Sequence, residues 1–157
     1  MIPGIIVEFL ERASVAVAAT RDRNLAPAVH RVSAWQVSDD HKEITCLIAA
    51  DSTDHLLSSL EDNGEFALTV EQIGPHETYQ FKGKFIDSRP VRESDQAVYE
   101  RCRQNFVEAC LPRFGISEEA LRRFIPEPAL AVRFQVHDIF VQTPGPSAGR
   151  RLVRLEE

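Results

Sequence analysis

Apolar and polar residues alternate with a period of two along most of the chain, and the spacing lengthens to that of a helix in four places. Val15–Thr20, small and β-branched, predicts a first strand, closed by the polar run Arg21-Asp22-Arg23-Asn24. Val29–Val37 and Ile44–Ala50 predict a second and third strand joined by the hairpin loop Asp39-Asp40-His41-Lys42. Glu65–Val70 predicts a fourth. Thr78–Ile86 predicts a fifth, with Tyr79, Phe81 and Phe85 on one face and Thr78, Gln80, Lys82 and Lys84 on the other. Ala129–Val136 and Asp138–Gln142 read as a closing strand pair.

The helical segments fall between these strands. Ile5, Ile6, Phe9, Leu10 and Ala13 predict a short amphipathic helix from Pro3 to about Arg12, set across one barrel end. Leu56, Leu57 and Leu60 predict a second, whose free amides the acceptors of Asp51-Ser52-Thr53-Asp54 can cap, and which ends at Asn63-Gly64. Val98, Cys102, Phe106 and Cys110 lie four apart and predict a third, ended by Pro112. Ser117, followed by Glu118 and Glu119, predicts the capped first turn of a fourth. Together they make a helical insert at about 94–125. Thr143–Gly149 opens a flexible tail from about 143, whose last residues either add a strand or fray. This order predicts a single domain over 1–157 of mainly β class: a six-stranded antiparallel barrel with peripheral helices.

Composition narrows the function classes. With 157 residues, 43% apolar and 27% charged, the chain suffices for one real core. A net charge of −6, with its 18 basic residues scattered, argues against nucleic acid as a partner. Glu8 and Glu11 interrupt the first apolar run, and no run approaches the roughly 18 apolar residues of a membrane span, so a cytoplasmic protein without a membrane partner is expected. Cys46, Cys102 and Cys110 are odd in number. The last two are separated by roughly 12 Å of helix, beyond disulfide reach. No His-Glu-Xaa-Xaa-His, Cys-Xaa-Xaa-Cys, Walker loop or Gly-Xaa-Ser-Xaa-Gly elbow occurs, which sets aside zinc sites and the common hydrolases.

Val-Ala-Val-Ala-Ala-Thr, Pro-Ala-Val-His-Arg-Val, Ile-Ala-Ala-Asp-Ser-Thr-Asp-His-Leu-Leu and Tyr-Gln-Phe-Lys-Gly-Lys follow one another between Val15 and Lys84. In order and spacing they resemble the pyridoxamine 5′-phosphate oxidase-like, FMN-binding split β-barrel family. The resemblance implies a homodimer with FMN in the cleft between two barrels. It also implies basic residues on the second strand and at the start of the short helix around the phosphate, with backbone of the second and third strands along the ring. By that alignment the cofactor-binding candidates are His30, Arg31, Val32 and Ser33, then Ile48 and Ala49, then Ser52, Thr53 and His55, with Thr78 and Gln80 near the ring.

The chain departs from the family pattern where charge matters. His30 stands in place of the usual Arg, Trp35 in place of a Lys, and Ser52-Thr53-Asp54 in place of Ser-Arg-Lys, so that Asp54 repels a phosphate. Arg31 through a shifted strand, the helix amides, Lys82, Lys84 or a partner's Arg are the other sources of compensation. Two function classes stay open: an FMN-dependent oxidoreductase in which the flavin does the chemistry, and a split-barrel dimer that has lost FMN and binds another small ligand. Haem, ligated by His30, His55 or His76, is a special case of the second class. The substrate is not indicated.

Overall fold

Alternation along the strands gives each one a face to bury, and the structure satisfies these faces by rolling the sheet shut. The structure, a computed structural model, describes residues 1–49 and 53–155, with side chains for all of these except 53–55. Strands β1 (Val15–Arg21), β2 (Pro27–Val37), β3 (Glu43–Ala49), β4 (Glu65–Gln72), β5 (Glu77–Pro90) and β6 (Pro128–Val141) run antiparallel in the order β3-β2-β1-β4-β5-β6. β6 then returns to pair with β3, so the barrel closes and the edges are consumed. Phe66, Leu68, Val70, Phe81, Phe134 and Ile139 fill it, each at most 2% exposed. Phe66 and Phe134 pack with their rings tilted by 46° and their centroids 4.7 Å apart.

Helix α1 (Gly4–Arg12) covers one end of the barrel. Its buried stripe is Ile6, Phe9 and Leu10, and Phe9 meets Tyr79 edge-on at 4.9 Å. Helix α2 (Thr53–Asn63) buries Leu56 and Leu60; the predicted capping residues Asp51 and Ser52 lie outside the described residues. Helices α3 (Gln96–Phe114) and α4 (Glu118–Arg122) form the insert, and α3 lies against β2. Ser117 caps α4, accepting from the Ala120 amide at 3.3 Å.

The structure corrects the sequence reading at two points and decides a third that the sequence left open. The closing strand pair is one strand, because His137 is absorbed as a bulge: Val136 pairs with Gly83 and Asp138 with Lys82, while the Leu155 amide satisfies the His137 carbonyl at 2.7 Å. The last residues of the tail add a strand rather than fray, since β7 (Arg151–Arg154) pairs with Asp138–Phe140, the part of β6 that β3 does not reach. Pro112 does not end α3. It sits in the last turn, where the carbonyl it leaves unbonded belongs to exposed Glu108, and the helix stops instead at left-handed Gly115, φ 61°. Trp35 and Phe81 are covered within the chain, at 2% and 0% exposed, and Tyr79 is partly covered by Phe9.

One ion pair fixes where the insert leaves the barrel. Arg89, near the end of β5, holds Asp95 through two bonds of 2.7 and 2.9 Å, and the Asp95 carboxylate also accepts from the Arg92 amide at 2.8 Å. The guanidinium holds the Asp95 carboxyl below its usual range. A depressed carboxyl stabilises the fold above its unfolded value of about 3.9, and that stabilisation is lost as the pH falls through the lower folded value. Thermal melts from pH 7 to 3 should therefore show Asp95→Asn less stable than wild type at neutral pH, with the gap shrinking at the acid end. A gap that stays constant across the range would exclude this linkage.

Candidate functional site

The candidate residues divide by the face of β2 they occupy. His30 and Val32 are on the buried face, opposite Ala18 and Ala16 of β1. His30 is 2% exposed, with its Nε2 2.8 Å from Thr20 Oγ1. Arg31 and Val29 alternate with them and are exposed. At Ser33 a bulge interrupts the ladder with β3, whose pairing passes from Val32–Ile48 to Ala34–Leu47. The Ser33 hydroxyl donates to the Pro126 carbonyl at 2.7 Å, and the Arg31 guanidinium donates to the Phe124 carbonyl at 3.1 Å. The segment leaving α4 is thus tied across the outer side of β2.

The outward residues continue across the sheet as one row. Arg31 pairs with Val17, Val17 with Thr69, and Thr69 with Gln80. The Gln80 amide donates to Thr69 Oγ1 at 3.2 Å. At about 4.8 Å per strand, the backbones of Arg31 and Gln80 stand roughly 14 Å apart. Val17, inside the row, is 46% exposed, and Val29, two residues before Arg31 on the same face of β2, is 72% exposed, so together they make an apolar ledge in contact with solvent. Strand alternation brings a cation, an apolar shelf and an amide–hydroxyl pair into line.

Among the described residues, Ile48, Ala49 and Thr78 do not join this ledge. Ile48 and Ala49 are buried in β3, paired with Val32 and Leu130 and with Pro128 respectively. Thr78 is 8% exposed; its amide donates to Thr143 Oγ1 at 2.9 Å, and its carbonyl accepts from the Gln142 and Thr143 amides. Ser52, and the side chains of Thr53 and His55, lie outside the described residues. His76 is at the β4–β5 turn with Nδ1 2.8 Å from Glu71 Oε1, away from the buried face that holds His30. The three cysteines are free and buried, and burial pushes the Cys46 and Cys102 thiols up, so neither is disposed to ionise. Val17 and Thr69 escaped the sequence reading. Their only signal was the odd-numbered register they share on β1 and β4.

No protein-family model and no curated protein matches this sequence. Solved structures do match its fold. HupZ from Group A Streptococcus superposes with a TM-score of 0.55 at 19% identity, over 95% of this chain and 100% of that one. A protein from Lactobacillus delbrueckii assigned as a pyridoxamine 5′-phosphate oxidase gives 0.54 at 14% identity, over 89% and 93% of the two chains. An FMN-binding protein from Syntrophomonas wolfei gives 0.50 at 15%, over 97% and 92%. The fold is the pyridoxamine 5′-phosphate oxidase-like split β-barrel. In this split barrel β7 is one strand more than closure requires, and the helices lie at the periphery. No helix among the described residues is long and apolar enough to cross a membrane.

Proposed function

We propose that this split barrel binds FMN along the outer ledge of β2, between two copies of the chain, and works as a flavin-dependent oxidoreductase. The observation that carries the reading is the order of polarity along the ledge. Arg31, which also bonds the Phe124 carbonyl, brings positive charge toward a phosphate, Val17 and Val29 offer a flat apolar surface to a ring, and Thr69 with Gln80 offers hydrogen bonds to the polar edge of that ring. These residue types suit each part of the cofactor, which when bound supplies hydride or electron transfer. The chain's own part is to hold and orient. His30, pinned to Thr20 on the buried face, keeps β2 in register with β1 so that Arg31 faces outward. Ser33 and Arg31 hold the 124–126 segment against the strand.

Exposed Val17 and Val29, with Phe114 at 58% and Phe124 at 59% exposure on the insert, support a second copy as the cover for this side. Sedimentation should give about twice the 17.7 kDa chain mass, and Val29→Asp should shift it toward the monomer. A wild-type monomer at micromolar concentration would rule the assembly out.

Flavin binding has a direct test. The purified protein, or the apoprotein titrated with FMN, should show bands at about 370 and 450 nm. Arg31→Ala should weaken FMN binding roughly 10- to 100-fold, the worth of one charge-assisted bond to phosphate, without changing the circular dichroism spectrum. Equal affinity in wild type and Arg31→Ala would place the phosphate elsewhere. Failure of both to bind at high FMN concentration would favour a barrel that has exchanged flavin for another ligand.

A further inference from the structure

At one end of the barrel α1, the β2–β3 hairpin and α3 meet around a pocket of about 200 Å³. Each wall is tied in place. Asn105 of α3 donates to the Glu11 carbonyl at 2.7 Å, and the Ile2 amide donates to the His41 carbonyl at 2.6 Å. Arg101, one helical turn before Asn105, donates to the Trp35 carbonyl at 2.7 Å. Val7, Leu10 and Trp35 give the pocket apolar surface, while Glu11, Asp39 and Arg101 bring charge to it.

Arg101 is the charge that the fold leaves unanswered. Among the described residues the half-buried arginines are Arg89, Arg101, Arg103, Arg122 and Arg133. The others all hold carboxylates: Arg89 pairs with Asp95, Arg103 with Glu100, Arg122 with Glu118, and Arg133 with Glu43. Arg101 pairs with no described carboxylate; beyond the Trp35 carbonyl its guanidinium reaches the Cys102 sulfur at 3.9 Å, and its Nε is buried without a partner. A cation drawn partly out of water needs an anion or a full set of acceptors to offset the lost solvation. Glu11 and Asp39 line the same pocket but are exposed, and neither forms an ion pair with Arg101.

We propose that this pocket binds a free α-amino acid, with its carboxylate on Arg101 and its ammonium toward Glu11 and Asp39. The order of burial sets the orientation: the guanidinium, whose Nη1 has no partner among the described residues, is half-buried, and the two carboxylates are exposed. Glu11 and Asp39 repel a simple carboxylic acid, and an amine leaves Arg101 unanswered, whereas a zwitterion meets both. At about 200 Å³ the pocket is smaller than the roughly 300 Å³ at which sites for drug-sized ligands begin, so the occupant is small. Val7 and Leu10 suit a short apolar side chain such as that of valine. Trp35 stands four residues beyond Arg31, roughly 13 Å along β2, and the pocket shares no residue with the ledge. The inference is therefore independent of the flavin reading.

The only tryptophan borders the pocket, so binding of L-valine to the full chain is read from its fluorescence. The change should saturate, and the melting temperature should rise with it, because the ligand binds the folded state alone. Isobutylamine, which lacks the carboxylate, should bind about 10-fold more weakly. Isovalerate, which lacks the ammonium, should lose about 5-fold, since exposed carboxylates contribute less. Arg101→Gln should weaken valine about 10-fold. Arg101 also holds the Trp35 carbonyl, so a second variant, Glu11→Gln with Asp39→Asn, changes exposed residues only. Its circular dichroism should match wild type, and valine and isovalerate should bind it alike. Isovalerate binding wild type as tightly as valine would overturn the zwitterion, and an equal response to sodium chloride would mean an adventitious ion only. Neither a saturable signal nor a rise in melting temperature with valine, or undiminished binding in Arg101→Gln, would overturn the site. An FMN titration of the double variant is expected to match wild type, which keeps this pocket separate from the ledge.

Discussion

Gly83→Ala should leave little or no folded protein. A Cβ built on Gly83 falls 1.8 Å from the Gln135 carbonyl oxygen and 2.8 Å from its carbon, with the Phe134 ring at 3.1 Å. The obstacle is backbone of the neighbouring strand, so no rotamer change relieves it. Ordinary over-packing of a core costs about 1–3 kcal/mol. Here β5 and β6 would have to part by more than an ångström, at the point where their register already shifts around His137. That ladder is the longest in the barrel, from Tyr79–Val141 to Pro90–Leu130, and β6 must also reach β3 to close it. Soluble yield and circular dichroism measure the outcome. Gly4→Ala is the control, because nothing lies within 4 Å of its added Cβ and it starts a helix. A Gly83→Ala protein that melts within a few degrees of wild type would show that the closure is looser than the structure describes.

Period-two and helical spacing make most of the fold legible in the amino-acid pattern, since burying one face is what each element must do. Face assignment on β2 is not legible there. Val29-His30-Arg31-Val32 places an apolar residue on each parity, so alternation says that His30 and Arg31 point oppositely without saying which is inside. Thr20, ten positions earlier, decides it: a hydroxyl on the buried face of β1 gives the imidazole a partner there, and an arginine would have had none so small. Val-Ala-Val-Ala in β1 hides Val17 for the same reason, being apolar on both faces. The Ser33 and His137 bulges leave no mark in a hydrophobic pattern, because an extra residue merely repeats a parity.

Trp35→Ala is expected to be the most destabilising single truncation of a side chain on β2, yet to spare the outer ledge. Trp35 is 2% exposed, and its indole donates to the Leu10 carbonyl at 2.8 Å, fastening the end of α1 to the barrel. Its own carbonyl accepts from Arg101 of α3 at 2.7 Å, so one residue ties both covering helices to β2. Removing a buried Trp side chain costs about 3–5 kcal/mol. For a domain of this size each kcal/mol is worth about 2–4 °C, which predicts a melting point lower by roughly 6–20 °C. Trp35→Phe should fall between the two, keeping most of the apolar volume but leaving the Leu10 carbonyl without its donor. Trp35 is the only tryptophan, so melting is followed by far-ultraviolet circular dichroism in the variants, while in wild type its fluorescence reports the docking of α1 directly. The ledge residues Arg31, Val17, Thr69 and Gln80 belong to the opposite face of the sheet from the core. Well below its melting point Trp35→Ala should therefore bind FMN as wild type does. An unchanged melting point would mean that α1 is held by Ile6 and Phe9 alone. A loss of flavin binding in a folded Trp35→Ala protein would mean that the covering helices, rather than strand alternation, set the geometry of the ledge.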